Sequence, residues 1–266
     1  MSRAQWSDKP NTRAREILEE NHDSSAALLK DLQEPEYACR DVEVRDGVWQ
    51  MMAQIEAFAK AHFSFELKDK TRLQAAFQSM PKETIKIIGC VVSSGPGGAS
   101  GWEDLFIDSS KRQALVCAIT GNTMVEQVFQ HIFFGGTSEQ IKEVAAIQYE
   151  HRNNDGFTRN TLHATKIRSL LAPTKHNSPP LHLPPNFNAH VTHTVAALLT
   201  HLMPLLTLHA PNNPTPLIPA LYALTTHTAL LSLAMRLTPH TVYHFPPSSR
   251  TSPTPRPQWS APTTQP

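Results

Sequence analysis

Apolar residues recur at three- and four-residue spacing along most of this chain between residues 12 and 237, the period of helices with one face turned inward. The strongest run is 110–134. On a 3.6-residue wheel Leu115, Ala118, Ile119, Val125, Phe129, Ile132 and Phe133 share one broad face, while Val116, Cys117 and Met124 lie on others. A helix apolar on more than one side is normally enclosed by its neighbours, so this segment is expected to be the buried centre of the fold. Ser109 and Ser110 are its N-cap candidates, and Gly135-Gly136 can supply a left-handed residue at its end. Such a helix is roughly 35 Å long at 1.5 Å per residue.

The flanking pattern predicts further helices. Residues 12–33 carry Ile17, Leu28, Leu29 and Leu32 and stop at Glu34-Pro35, because proline disfavours helical geometry in the residue before it. Residues 44–63 repeat Val48, Met51, Met52, Ile55, Phe58 and Ala59, and 66–80 use Leu67, Leu73, Ala76 and Phe77. The run 81–92 suits a helix entered at Pro81 or, through Ile85, Ile87, Ile88, Val91 and Val92, a buried strand. Thr137 and Gln140 have capping-box spacing and open a helix to about His151; a turn at 153–156 separates it from another at 158–171. Two apolar runs follow at 189–209, with a kink expected at Pro204, and 215–237, then a short extended piece at 238–245.

These elements predict an all-α multi-helix bundle around a central buried helix at about 110–134. The expected layout is a disordered N-terminus at 1–11, a helical core domain at 12–172 and a Pro-rich linker at 173–188. A C-terminal helical pair at 189–245 packs on that core, and 246–266 forms a disordered tail.

Composition sharpens this picture. The net charge of +1 hides an asymmetry: residues 1–155 hold all 23 acidic and 17 of the 24 basic residues, so they carry −6 and the remainder +7. The seven basic residues after 155 are scattered over 111 positions and form no phosphate-binding cluster, which disfavours nucleic acid as a partner. Cys39, Cys90 and Cys117 are odd in number and widely spaced, which fits a reducing compartment, cytoplasmic or nuclear, rather than a disulfide framework. The charged first 20 residues offer no apolar core for a secretory signal.

Candidate chemistry is sparse. Gly95, Gly97 and Gly101 read GxGxxxG, one residue too long for a dinucleotide loop, and Pro96 removes an amide hydrogen that a phosphate would need. Asn122 and Glu126 interrupt the apolar face of the central helix one turn apart, either as a ligand-binding pair or as satisfied core residues. Arg152, Arg159 and Arg168 crowd one corner, able to hold an anion or to form a solvated, salt-bridged face. His190, His193 and His201 share a helix face, but His201 lies about 12 Å further along the axis, beyond one coordination sphere. No metal site and no cofactor are therefore expected.

The string Trp102-x-x-Leu105-Phe106, Arg112-x-Ala114-Leu115-Val116, Val128-Phe129, Phe134-Gly135, Gly156-Phe157-x-Arg159 and Met235-Arg236-Leu237 with Val242-Tyr243 resembles uncharacterised, mostly helical proteins predicted in filamentous fungi. The resemblance implies a soluble, intracellular helical protein and carries over no catalytic residue. The Pro- and His-rich link at 173–188 departs from that pattern.

The expectation is a non-catalytic intracellular helical interaction or regulatory protein with a protein partner. One alternative is an enzyme or small-molecule binder with a pocket between the central helix and the C-terminal pair, using Asn122, Glu126, His201 and His227. Another is a membrane-associated protein inserting a hairpin at 189–237, whose runs lack charges until Arg236 but are studded with His, Thr and Pro.

Overall fold

A computed structural model describes residues 41–67, 71–91, 99–172, 181–209, 216–239 and 241–243. The segments expected at 1–11, 12–33 and 246–266, and residues 173–180 of the linker, lie outside the described residues. Within them every regular element is helical. The helices are α1 (Asp41–Phe63), α2 (Thr71–Gln78), α3 (Lys82–Val91), α4 (Ala99–Ile107), α5 (Ser109–Met124), α6 (Ser138–Glu150), α7 (Gly156–Leu171), α8 (Phe187–Leu206) and α9 (Leu217–Leu237), and α5 runs on into a π turn at Val125–Phe129.

α5 is the centre. It packs against α1, α3, α4 and α8, and Val116, Ile119 and Met124 are wholly buried. α1 is set up by Asp41 and Glu43 in its first turn and Lys60 in its last, each sign facing the helix-dipole end that favours it. Its inner face of Val44, Met51, Ile55, Phe58 and Phe63 joins the same core. The C-terminal pair completes that core: α8 packs on α2, α3 and α5, while α9 packs on α1, α7, α8 and the π turn. Gly47 lets α1 and α9 approach, since a Cβ there would lie 2.9 Å from Leu231 Cδ1.

Local chemistry places the element ends. Thr137 Oγ1 accepts the Gln140 amide hydrogen while the Gln140 side chain accepts that of Thr137, the reciprocal capping box expected there. Asp155 Oδ1 caps α7 by accepting from the Phe157 and Thr158 amides, each at 2.9 Å.

Several boundaries differ from the sequence pattern. The cap of α5 is Asp108, whose Oδ1 accepts the Lys111 amide at 2.8 Å, in place of Ser109 or Ser110. The helical path ends at Phe129 instead of Phe134, because the wide π turn bonds the Gln130 amide to the Val125 carbonyl and residues 130–136 turn away toward α8. The expected left-handed glycine is present at Gly135, with φ of 79°, but it shapes that turn and does not cap the helix. α4 occupies Ala99–Ile107, between the runs predicted at 81–92 and 110–134. The ambiguous run is helical over Lys82–Val91 as α3. Pro204 falls in the last turn of α8, which ends at Leu206.

Residues 238, 239 and 241–243 form no strand. The Asn160 amide donates to the carbonyls of Thr238, Pro239 and Thr241 at 2.9–3.0 Å, and the hydroxyls of Thr241 and Tyr243 donate to Asp41 Oδ1. The segment after α9 is thereby tied to α7 and to the start of α1. Among the described residues one helix, α9, is long and apolar enough to cross a membrane, and 67% of its most apolar window is buried against the rest of the protein.

Candidate functional site

The candidate polar residues are distributed over separate helix contacts. Asn122 lies in the last turn of α5 and Glu126 in the π turn, both half-buried. His201 on α8 pairs through Nδ1 with the buried Thr84 hydroxyl of α3 at 3.0 Å. His227 on α9 is 5% exposed and pairs through Nδ1 with Gln54 Oε1 of α1 at 3.1 Å. The two histidines thus link different helix pairs, α8 to α3 and α9 to α1. Of the corner arginines, Arg152 lies over the Tyr149 ring at 4.6 Å, Arg159 is half-buried, and Arg168 donates to the Leu237 carbonyl at 3.3 Å. Beside them Lys166 bridges Glu143 at 2.7 Å. Among the described residues no group of three His, Cys, Asp or Glu side chains is placed to hold a metal.

The densest polar chemistry surrounds Arg112, which is fully buried. Its Nε donates to the Phe63 carbonyl at 3.0 Å, Nη1 to the carbonyls of Phe106 and Ile107 at 2.6 and 3.2 Å, and Nη2 to that of Phe65. The last carbonyls of a helix have no partner within it, so one planar fork serves the ends of α1 and α4 together. The guanidinium also lies 4.1 Å from the centre of the Phe65 ring, a cation–π contact. Burial pulls its pKa down, while the negative charges of Glu66 and Asp108 pull it back up.

Arg236 repeats the device. From α9 it donates to the Phe129 carbonyl at 2.8 Å, where the π turn ends, and Ser232 Oγ donates to the Val128 carbonyl at 3.4 Å. A cavity of about 20 Å³ beside them, lined among others by Asn160, Ser232, Arg236 and Tyr243, has room for a single water rather than a substrate.

Among the described residues, one thiol and two imidazoles are held in their neutral forms. Burial, reinforced by Glu56, pushes the Cys117 thiol up, which keeps it protonated at neutral pH. His163 is 3% exposed, and its Nε2 has no hydrogen-bond partner among the described residues. Burial, with Arg236 adding to it, pushes its pKa down to about 4, and burial alone does the same to His227.

Both histidines are therefore neutral in the folded chain and take up protons on unfolding. With folded values near 4 and ordinary values near 6.5, their contribution is complete above about pH 6.5 and is lost as pH falls toward 4. Each is expected to steepen the pH dependence of stability by up to about 1.4 kcal/mol per pH unit in that window. Urea midpoints at pH 7, 6 and 5 check this. Equal midpoints contradict it, and His227→Gln should flatten the slope.

The sequence pattern assigns no role to Arg112, Arg236 or His163. The available signal was an arginine inside an apolar helical run, and the carbonyls that call for it lie on other helices. Compared with protein-family models, with characterised proteins and with solved structures, the chain matches none.

Proposed function

We propose that the protein is a non-catalytic intracellular helical interaction module that presents the corner between α6 and α7 to a protein partner. The observation that carries this reading is a pair of projecting aromatic rings, Tyr149 at 71% and Phe157 at 68% exposure, flanking the turn between the two helices. Arg152 stacks on the first ring. Single exposed apolar residues are ordinary, but Tyr, Phe and Arg together on a rigid helical corner have the composition of an interface anchor. The partner that fits is a protein offering an apolar pocket to one or both rings. The corner is held firmly from behind by the Asp155 cap and the Lys166–Glu143 pair, so little ordering accompanies binding. The buried histidines and arginines, being committed to helix packing, support a scaffold role for the remainder of the core.

The test compares the full chain with its Tyr149→Ser/Phe157→Ser variant in affinity purification from the native cell. Both rings are exposed, so the variant should keep its thermal midpoint, with stability changed by no more than about 0.5 kcal/mol. A protein retained by the unmodified chain and lost from the variant supports the reading. Identical recoveries, or a small molecule as the sole ligand recovered from both, overturn it.

A further inference from the structure

We infer that the Gly135–His190 contact is an acid-sensitive latch, which opens when the His190 ring becomes an imidazolium and frees the turn at 130–136 from the start of α8. The polarity of one hydrogen bond carries this. The Gly135 amide donates to His190 Nδ1 at 3.1 Å. A backbone N–H can only donate, so Nδ1 is bare and the neutral ring keeps its single hydrogen on Nε2. In the protonated ring both nitrogens carry hydrogen, and turning the ring over offers the amide no acceptor either. The latch and the imidazolium therefore exclude each other. Neither nitrogen of the latched ring has a lone pair to give a metal.

The surroundings add no group that welcomes a charged ring. His131, from the turn, stands 6.2 Å from His190 between ring centres, and His193 follows on α8. Burial, then the charge of His193, holds the pKa of His190 down, and burial, then the charge of His190, does the same to His131. Among the described residues α2, α3, α5 and α9, which pack on α8, bring no carboxylate, lysine or arginine whose charge bears on either ring, and neither do Glu126 of the π turn and Glu139 of α6. Acid thus charges imidazoles that face each other. When closed, the turn is tied to α8 by the His190 bond and by the Asn186 amide, which donates to the Gly135 carbonyl at 2.8 Å. Phe134 meets Phe187 and His190 edge to face at 5.8 and 5.5 Å. Protonation breaks the first tie and sets two N–H groups against each other. The turn then lifts and bares Phe133 and Phe134, both buried in the closed form.

The experiment is NMR of the full chain from pH 7.5 to 5, following the His190 ring nitrogens and the protection of the Gly135 amide, with each exchange rate taken relative to the unfolded chain at that pH. At pH 7.5 the His190 hydrogen should sit on Nε2 and Gly135 should be protected. As His190 protonates, below its ordinary 6.5, Gly135 protection should fall severalfold in step, while the Ile119 amide of α5 stays protected. His190→Asn sets an oxygen acceptor near the Nδ1 position with nothing to titrate, so Gly135 should stay protected throughout. His190→Leu, with no acceptor, should leave it unprotected at every pH. A hydrogen on Nδ1 at pH 7.5, or Gly135 protection that outlasts His190 protonation, overturns the inference. So does a fall in His190→Asn at the same pH as in the unmodified protein. Ile119 losing protection together with Gly135 also overturns it, because the event is then global unfolding driven by buried His163 and His227.

Discussion

Replacing Arg112 by methionine is expected to lower the stability of this protein by about 3–5 kcal/mol, because four carbonyls at or just past the ends of α1 and α4 lose a charged donor, and those of Phe63 and Phe106 are buried. Methionine fills much of the same volume, so the loss reads the hydrogen bonds more than a cavity. Set against a typical domain stability of about 5–15 kcal/mol, the change leaves a chain that barely folds or fails to fold. Arg112→Lys keeps the charge but offers a point donor in place of a flat fork, and should recover only a minor part. Urea unfolding followed by circular dichroism measures both. A cost below about 1 kcal/mol for Arg112→Met would show that the two helix ends find other partners.

Gly135→Ala is expected to cost about 2–4 kcal/mol, from strain and collision together. The glycine sits at φ of 79°, where a side chain is strained, and an added Cβ would lie 2.7 Å from Phe187 Cα and 3.0 Å from its nitrogen. Those are backbone atoms at the start of α8, so relief requires the helix to move. Movement would also break the Asn186 amide bond to the Gly135 carbonyl at 2.8 Å and the Gly135 amide bond to His190 Nδ1 at 3.1 Å. Gly121→Ala, inside α5 with open space around its Cβ, is the control and should stabilise by about 0.5–1 kcal/mol. Thermal midpoints of the two variants should move in opposite directions. A shared direction would contradict the account of Gly135.

The helical class was legible because its signals are local. The three- and four-residue period of α1 and α5, the Thr137–Gln140 capping box and the apolar runs of α8 and α9 all lie within single segments. The differences arise where distant groups decide. α5 gives way to a π turn whose last carbonyls meet Ser232 and Arg236, more than one hundred positions away. α4 begins in a glycine-rich stretch, and its last carbonyls are secured by Arg112 from α5. Arg112 lies in the first turn of α5, and its Phe63 and Phe65 partners are nearly fifty positions back.

The candidate residues behave alike in this respect. His201 and His227 could be recognised from sequence as histidines on apolar helices, but Thr84 and Gln54 as their partners could not. Arg168 lay in a basic corner on paper and reaches the end of α9 in space. The exposed rings Tyr149 and Phe157 carry no periodic signal that sets them apart from core aromatics. Only the turn between α6 and α7 shows that they face outward.

Residue-resolved native-state hydrogen exchange is the most direct measurement of the claim that α5 is the enclosed spine of the bundle. Amides of Leu115, Val116, Ile119 and Thr120, all buried on α5, should exchange only through global unfolding and slow in step with overall stability, while those of the more exposed α6 open locally and exchange faster. Exchange in α5 as fast as in α6, insensitive to the stability of the whole chain, would contradict the architecture.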